Sequence, residues 1–462
     1  MSRFKRKLLQ ILAVLLAFLF VVYLLLYRKL ISTKSKSNLA KISQRDKFLA
    51  KLVENFRHNA RASTTRFHPT DVLQTVASNI SESSIENSQR DKISRKRPKI
   101  LLWKPIPQNL NWTLPRTEMC GFGCDITTNR SEYTNSDAVV LYMISMTPYD
   151  LPNSKIRRPD QAFVWWCHES TSTVVEAYYK NLRQYNGYFN WTMHYRKDSN
   201  ITAAFIPHTA RDWYFDRVGR TAEKSLRESK QAITKIQFEK MFRDLMKVKK
   251  KSAAWVATDC NYVEGAIIRR QYVNSIEKDG NYSVDIYGGC GNKKLAMRSS
   301  VMYDVLRRYK FYLAFENTQF CREYLTEKFW YNSLYAGVVP IVWGPSKATV
   351  QEIAPPNSFI HVEDFNYDVK KLTKFLRKLE KNKKAYKEYF KWWMMPGFYP
   401  IYKLREAEDP EDRVGESVFQ FEVNGFCHLC KMLHEKRHKT THWAVSDLHQ
   451  AFYGPEDLRC LY

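Results

Sequence analysis

The chain has 462 residues, with 74 Lys and Arg against 47 Asp and Glu and a formal net charge of +27 at pH 7. Since 44% of the residues are hydrophobic and 14% are aromatic, the chain can bury a core, which excludes a wholly disordered protein. The positive excess first suggests an anionic partner such as nucleic acid, an acidic membrane or a phosphorylated ligand.

The N-terminus predicts a membrane anchor. A basic tail at residues 1–7 precedes an apolar run at residues 8–27. A run of this length fits a helix that crosses about 30 Å of hydrocarbon, whereas a cleaved signal peptide usually has an apolar core of about 7–15 residues. We therefore expect an uncleaved signal-anchor. Residues 28–98 are rich in Ser, Lys, Arg and Asn and predict a solvated stem.

Six N-x-S/T sequons follow the predicted anchor. They are Asn79, Asn111, Asn129, Asn190, Asn200 and Asn281. Single sequons arise by chance, but six are typical of a chain that is exposed to the glycosylation machinery of the secretory lumen. A lumenal body argues against a nucleic-acid partner, and more than half of the positive excess lies in the first 100 residues, where it suits a membrane-proximal region.

From residue 100 onward, buried strands and helices alternate. Short apolar runs predict strands at 100–103, 138–144, 163–166, 203–206, 254–257, 284–287, 311–315, 338–343 and 359–362. Helical spacing occurs at 174–183, 223–249, 266–276, 325–335 and 369–379. This alternation indicates an α/β protein with parallel sheets. The Lys-rich segment at 223–251 predicts a solvated helix face and a domain boundary.

Three clusters carry residues that are suited to chemistry. Glu169 follows the apolar run at 163–166, and ligands of open α/β sheets bind at the carboxyl ends of strands. The second cluster holds Arg269 and Arg270 on a predicted helix, and a glycine-rich turn at 288–291 follows the next strand. In the third, residues 326–328 (Thr-Glu-Lys) begin a helical stretch, where a Lys and free N–H groups could bind an anion.

The first and third clusters also have a purely structural interpretation, a loop Glu and a capped helix with solvated charges. The glycine-rich turn of the second is neither G-x-G-x-x-G nor a Walker sequence, so it is a weak signal for a dinucleotide site. The chain has no D-x-D and no H-E-x-x-H sequence, so no common metal motif is present. Cys427 and Cys430 form one C-x-x-C, and Cys120 and Cys124 are spaced by four. In a lumenal chain we expect disulfides rather than zinc at these cysteines.

At the third cluster the sequence resembles glycosyltransferase family 10, the α1,3-fucosyltransferases, in an invertebrate-like form. Residues 315–318, 326–328 and 336–340 are similar to the family signature, although Thr318 stands where Ser is usual and Glu323 where Asp is usual. Further likenesses extend over residues 100–430, at 168–170, 190–199, 284–291, 355–362 and 386–392.

The resemblance implies a GT-B type α/β fold, with two Rossmann-like domains that face a cleft, after one transmembrane helix and a stem. The implied divisions are a cytoplasmic tail at 1–7, the signal-anchor at 8–27, the stem at 28–98, an acceptor domain at 99–250, a GDP-fucose domain at 251–400 and a C-terminal segment at 401–462 that returns to the first domain. It further implies that disulfide bonds join Cys120 and Cys124 to Cys427 and Cys430, but it does not determine which cysteine pairs with which.

The implied reaction is inverting transfer of L-fucose from GDP-fucose to a GlcNAc 3-hydroxyl in N-glycan or lactosamine-type acceptors. Glu169 matches the family's proposed catalytic base. The donor-site positions that match are Arg269, Asn317, Tyr324, Glu327 and Lys328, with Arg270 as the alternative to Arg269. Lys and Arg could offset the diphosphate charge without a metal or another cofactor, and Mn²⁺ stimulation is left open.

Localisation follows from the anchor and the resemblance together. We expect a single-pass type II protein of the Golgi membrane with a lumenal body, whose partners are GDP-fucose and GlcNAc-containing glycans. The alternative is a catalytically silent lumenal glycan-binding protein on the same fold. The presence of Glu169, Arg269 and Lys328 together argues against that alternative.

Overall fold

The computed structural model describes residues 97–104, 123–178, 181–206, 214, 217, 232–295, 300–395, 420–435, 444–454 and 460. The predicted tail, anchor and stem up to residue 96 lie outside the described residues. Within the described part, no helix is long and apolar enough to cross a membrane.

The first half of the body is built on a six-stranded sheet in which all pairs are parallel. In sheet order the strands are β2 (Asp125–Thr127), β1 (Lys99–Leu102), β3 (Ala138–Tyr142), β4 (Ala162–Trp166), β5 (Trp191–His194) and β6 (Ile201–Thr202). The central strands β3 and β4 are buried along their whole length, as expected for parallel strands that are covered on both faces.

Two helices from the C-terminal segment contribute to the cover on the two faces of this sheet. Side chains alternate between the faces of a strand, so Val164 and Trp166 share a cluster with Phe426 of α9 (Gln420–His434). Phe163 and Trp165 point to the other face and share a cluster with Phe452 of α10 (Leu448–Tyr453). Helices from the C-terminal segment thus pack against both faces of the first sheet.

The second half contains a five-stranded parallel sheet. In sheet order the strands are β11 (Ile360–His361), β10 (Val339–Trp343), β9 (Tyr309–Phe315), β7 (Lys251–Val256) and β8 (Val284–Tyr287). The other helices are α1 (Thr171–Tyr178), α2 (Lys235–Val248), α3 (Glu264–Lys278), α4 (Ser300–Leu306), α5 (Glu327–Phe329), α6 (Lys347–Ile353), α7 (Val369–Lys381) and α8 (Lys383–Glu388). A π-helical turn, Trp330–Tyr335, continues α5.

Short 3₁₀ helices complete the described elements: Arg130–Asn135, Ser154–Ile156, Leu182–Tyr185, Val362–Phe365 and Lys391–Met394. The prediction of an α/β protein with parallel sheets is therefore confirmed. The predicted strand at 203–206 is wrong, because the edge strand β6 ends at Thr202 and the four apolar residues after it pack as irregular chain.

The Lys-rich segment differs from its prediction. Helix α2 begins only at Lys235, where Thr234 and Gln237 form a capping box; the predicted residues 223–231 lie outside the described part. Lys249 is not on a solvated face, because it is buried and its Nζ donates to the carbonyls of Tyr309 at 2.5 Å and Gly337 at 2.6 Å. These bonds anchor the end of α2 to the second sheet.

Candidate active site

Glu169 lies just beyond the carboxyl end of β4, at the edge of the sheet where parallel α/β proteins bind ligands. About a fifth of its side chain is exposed (22%). Its Oε2 accepts a hydrogen bond of 3.2 Å from the hydroxyl of Tyr324, which comes from the second half of the body. Its Oε1 lies 3.9 Å from Nε2 of His168.

The surroundings of Glu169 raise the pKa of its carboxyl above the ordinary value. Burial is the largest cause, and the negative charges of Glu327 and Glu316 act in the same direction. The ammonium of Lys328 and the hydrogen bond from Tyr324 oppose the increase. A carboxylate with a raised pKa is a stronger base, which suits proton removal from a hydroxyl group.

Lys328, on α5, is surrounded by polar and charged side chains. Its Nζ lies 3.0 Å from a carboxylate oxygen of Glu316, 3.0 Å from Glu327 and 2.9 Å from the hydroxyl of Thr326. Burial alone would lower the pKa of the ammonium, but Glu316 and Glu327 outweigh it and raise that pKa. Lys328 therefore carries its positive charge at neutral pH, with 14% of the side chain exposed.

Glu316 is a functional candidate that the sequence reasoning did not select. It is fully buried (0% exposed), and one carboxylate oxygen accepts from the backbone N of Thr326 at 2.9 Å and from its hydroxyl at 2.8 Å. The carboxylate thus fixes both the N-terminus of α5 and Lys328. The sequence offered one indication of this role: Glu316 directly follows the apolar run at residues 311–315, and an acidic side chain that is buried there needs a partner.

Arg269 lies inside the protein, whereas its neighbour Arg270 lies at the surface. The guanidinium of Arg269 is 2% exposed and donates to the carbonyl of Phe315 at 2.9 Å and to that of Asp259 at 2.8 Å. Both carbonyls are at the carboxyl edge of the second sheet. Its buried Nε has no hydrogen-bond partner among the described residues.

Asn317 follows Glu316 in the second half of the body, and its side chain contacts the first half. Its Nδ2 donates to Thr173 of α1 at 3.4 Å, and its buried Oδ1 has no hydrogen-bond partner within the described part of the chain. The N-terminus of α3 lies against this residue, because a Cβ on Gly265 would lie 2.2 Å from the Asn317 carbonyl oxygen. Only glycine permits that approach.

The structure therefore brings the sequence-selected residues to one region. Glu169 contributes from the first half, and Arg269, Asn317, Tyr324, Glu327 and Lys328 contribute from the second. The charges of Lys328 and Glu327 act on Glu169, and the charge of Arg269 acts on Lys328. Arg270 is not part of this group, because its guanidinium lies 3.4 Å from the Asn261 side chain in an exposed position.

The glycine-rich turn has a packing role. Gly288 has a φ of +85°, and a Cβ there would lie 2.6 Å from the carbonyl oxygen of Ala257. A disulfide between Cys260 and Cys290, which the sequence analysis did not predict, ties the same two loops together. These contacts hold the loop that carries Asp259, the backbone partner of Arg269.

Cysteines elsewhere are mostly paired. A disulfide joins Cys124 to Cys430, one of the pairings that the family resemblance implied. Cys427 is also disulfide-bonded, and Cys120 lies outside the described residues. Within the described part, Cys124, Cys430 and His434 are the only group with the spacing of metal ligands, and its two thiols are consumed by the disulfide.

The predicted glycosylation sites differ in accessibility. Asn129, Asn200 and Asn281 are exposed, whereas Asn190 is half-buried, and its Oδ1 accepts from the backbone N of Phe163 at 2.8 Å. Asn79 and Asn111 lie outside the described residues.

A cavity of about 350 Å³ lies at the opposite edge of the first sheet, where β4 and β5 begin. Arg157 lines it, but its guanidinium is already bound to the carbonyls of Tyr188 and Gln161 and packs 3.9 Å over the ring of Phe163. The carboxyl group of Glu169, whose pKa is raised, and the charged groups that act on it lie instead at the carboxyl edge, and we place the chemistry there.

Two family models match the chain. Residues 246–451 match the model described as glycosyltransferase family 10 (fucosyltransferase) C-term, and residues 95–206 match the fucosyltransferase N-terminal model.

Similar curated proteins carry related names. The chain is 35% identical over 300 residues to the 3-galactosyl-N-acetylglucosaminide 4-alpha-L-fucosyltransferase of Bos taurus, over 64% of this chain and 71% of that protein. It is 33% identical over 301 residues to the 4-galactosyl-N-acetylglucosaminide 3-alpha-L-fucosyltransferase of Homo sapiens, over 64% and 72%. A crystal structure of an alpha1,3-fucosyltransferase aligns with a TM-score of 0.40 at 20% identity, over 66% of this chain and 83% of that one.

Proposed function

Because the chain belongs to glycosyltransferase family 10, the fucosyltransferases, we propose that it transfers L-fucose from GDP-fucose to the 3-hydroxyl of GlcNAc, with inversion at the anomeric carbon. The acceptors are N-glycan or lactosamine-type glycans. The observation that supports this most is the contact between Glu169 and Tyr324, which joins a basic carboxylate of one half to the other half, whose Lys328 ammonium acts on that carboxylate.

The two halves take different substrates in this proposal, as in a GT-B enzyme. The first half, at residues 99–250, binds the acceptor, and the second, at 251–400, binds GDP-fucose, while the C-terminal segment at 401–462 completes the first. Parallel sheets bind ligands at the carboxyl ends of their strands. Glu169 follows β4, Lys328 contacts Glu316, which follows β9, and the charge of Lys328 acts on Glu169.

Glu169 acts as the general base. It removes the proton from the acceptor hydroxyl as that oxygen bonds to the anomeric carbon of fucose, and the bond from this carbon to the GDP oxygen breaks on the opposite side. A base must lie within hydrogen-bond reach of the proton that it removes. The exposed fifth of the Glu169 side chain gives a sugar hydroxyl that access.

The departing diphosphate is held by positive charge and hydrogen-bond donors. Lys328 supplies an ammonium, and Arg269 supplies a guanidinium whose Nε is not engaged by the described residues. Charge-assisted hydrogen bonds to phosphate are roughly twice as strong as neutral ones. In this proposal no metal is required, and assays with EDTA and with Mn²⁺ measure any stimulation.

An acceptor panel with GDP-fucose tests the proposed function. Purified chain is incubated with N-acetyllactosamine, its 3-galactosyl isomer and a GlcNAc-terminated N-glycan core, and products are identified by mass and by linkage analysis. We expect an α1,3-linked fucose on at least one acceptor. GDP-fucose binding without transfer to any acceptor would favour the catalytically silent glycan-binding protein instead.

The cellular setting is part of the same proposal. We propose that residues 8–27 anchor the chain in the Golgi membrane as a single-pass type II protein, with the sequons and the disulfides in the lumen. Protease protection of the body in intact microsomes, with mobility that is sensitive to endoglycosidase, is the expected result.

A further inference from the structure

Cys460 lies next to the candidate active site although it comes from the end of the chain. It is 4% exposed and forms a disulfide with Cys321, which is 139 residues away in sequence. The family-model match ends at residue 451, so Cys460 lies beyond the part of the chain that the family model describes. This disulfide therefore adds a contact at the site from outside the matched region.

One side of the disulfide contacts the segment that carries Glu169. The hydroxyl of Thr171 lies 2.7 Å from Sγ of Cys460, and because a disulfide sulfur has no proton, the threonine is the donor. Thr171 is buried and begins α1, two residues after Glu169. Any shift of Cys460 therefore acts on the backbone turn that aims the Glu169 carboxylate.

The other side of the disulfide contacts the segment that carries Tyr324. The carbonyl of Cys321 accepts from the backbone N of Tyr324 at 3.2 Å, and the hydroxyl of Thr318 lies 3.1 Å from Sγ of Cys321. Tyr324 in turn donates its phenolic proton to Glu169 at 3.2 Å. The contacts form a closed circuit through Thr171, Cys460, Cys321, Tyr324 and Glu169.

We propose that Cys460, through its disulfide with Cys321, is a positioning residue for Glu169. It fixes the turn that carries Glu169 relative to the tyrosine that hydrogen-bonds to its carboxylate. Reacting groups must be held closely, because a misplacement of about 1 Å can cost a factor of roughly 100 in rate. The inference rests on the proposed function, since it takes Glu169 to be the base.

Breaking this circuit of contacts should also change the pH dependence of the activity. The hydrogen bond from Tyr324 counteracts the burial that raises the pKa of Glu169, so loss of this bond raises that pKa further. The base is active when deprotonated, so activity is lost as pH falls through the pKa of Glu169 in the folded protein. The low-pH side of the plot of kcat/KM against pH, called its acid limb, should therefore move to higher pH when these contacts are broken.

The full chain is tested in two variants that open the circuit at different points. Cys321→Ser/Cys460→Ser removes the disulfide without leaving a free thiol, and Thr171→Val removes one hydroxyl while the disulfide stays. For both we expect kcat to fall about tenfold or more, with the Kd for GDP within about threefold of wild type. The acid limb should move up by roughly half to one pH unit, the size that one ordinary hydrogen bond produces.

Matched controls separate positioning from stability. Cys124→Ser/Cys430→Ser removes another long-range disulfide, and Thr373→Val removes another buried hydroxyl, on α7 beside Gly280. Both should leave the acid limb in place, whatever happens to Tm. If the double cysteine variant does not fold, Thr171→Val decides the question.

The inference is wrong if Thr171→Val and the folded Cys321→Ser/Cys460→Ser variant keep the wild-type kcat and acid limb. It is also wrong if the Cys124→Ser/Cys430→Ser control moves the limb equally. Failure of the proposed function looks different, because the wild-type chain would then transfer no fucose at all.

Discussion

Replacement of Glu316 by Gln should destabilise the second half of the body. Glu316→Gln keeps the shape of the side chain but leaves Lys328 without the buried carboxylate at 3.0 Å. Breaking a buried ion pair from one side typically costs about 3–5 kcal/mol. Lys328 keeps Glu327, also at 3.0 Å, and is partly exposed, so we expect a loss at or below the lower end of this range, about 2–3 kcal/mol.

Differential scanning calorimetry or fluorimetry of purified variants measures this effect. For a cooperative unit of about 350 residues, the expected loss corresponds to a fall in Tm of roughly 3–4 °C. Glu363→Gln is the matched control, because Glu363 also accepts a backbone N–H, that of Lys347 at 3.2 Å, but its side chain is 30% exposed. The control should change Tm by less than about 1 °C. Equal Tm values for Glu316→Gln and wild type would refute the reasoning that Glu316 holds Lys328.

Three further predictions concern the donor arginine, the sequons and pH. Arg269→Ala should weaken GDP binding at least about tenfold in calorimetry, whereas Arg270→Ala should not, and equal losses would contradict the burial argument. Asn190→Ala should lower Tm because it removes the oxygen that accepts from the backbone N–H of Phe163, while Ser283→Ala, which removes the Asn281 sequon at an exposed residue, should leave Tm unchanged, both measured after enzymatic deglycosylation. The acid limb of wild-type kcat/KM should lie above the ordinary Glu pKa of about 4.3, because burial raises the pKa of Glu169; a limb at or below that value would contradict this assignment.

The second sheet was easier to predict from sequence than the first. Strand Val339–Trp343 and the part of β9 at residues 311–315 are continuous apolar runs, which is the pattern of strands buried on both faces. Strand β5, Trp191–His194, was missed because Thr192 and His194 interrupt the apolar pattern, although both are buried in the structure. The edge strand β6 was placed too late, because only Ile201 and Thr202 pair with β5.

The candidate site was predictable in composition but not in geometry. Glu169 and Lys328 could be selected because Glu169 follows an apolar strand and Lys328 lies at the start of a helix, whereas Arg269 was selected through the family resemblance. Their convergence could not, since the contact between Glu169 and Tyr324 joins residues 155 positions apart. The Cys321–Cys460 disulfide could not be derived either, because local patterns do not determine which cysteines pair.

The central claim is that Glu169 is the base for fucosyl transfer, and Glu169→Gln tests it most directly. This variant keeps an oxygen that can accept from Tyr324 but cannot take a proton from the acceptor. Its kcat with GDP-fucose and a saturating acceptor, compared with its Kd for GDP, separates chemistry from donor binding. We predict that kcat falls by about 100-fold to 10,000-fold while the Kd for GDP stays within about threefold of wild type. A Glu169→Gln variant that transfers fucose at the wild-type rate would contradict the claim.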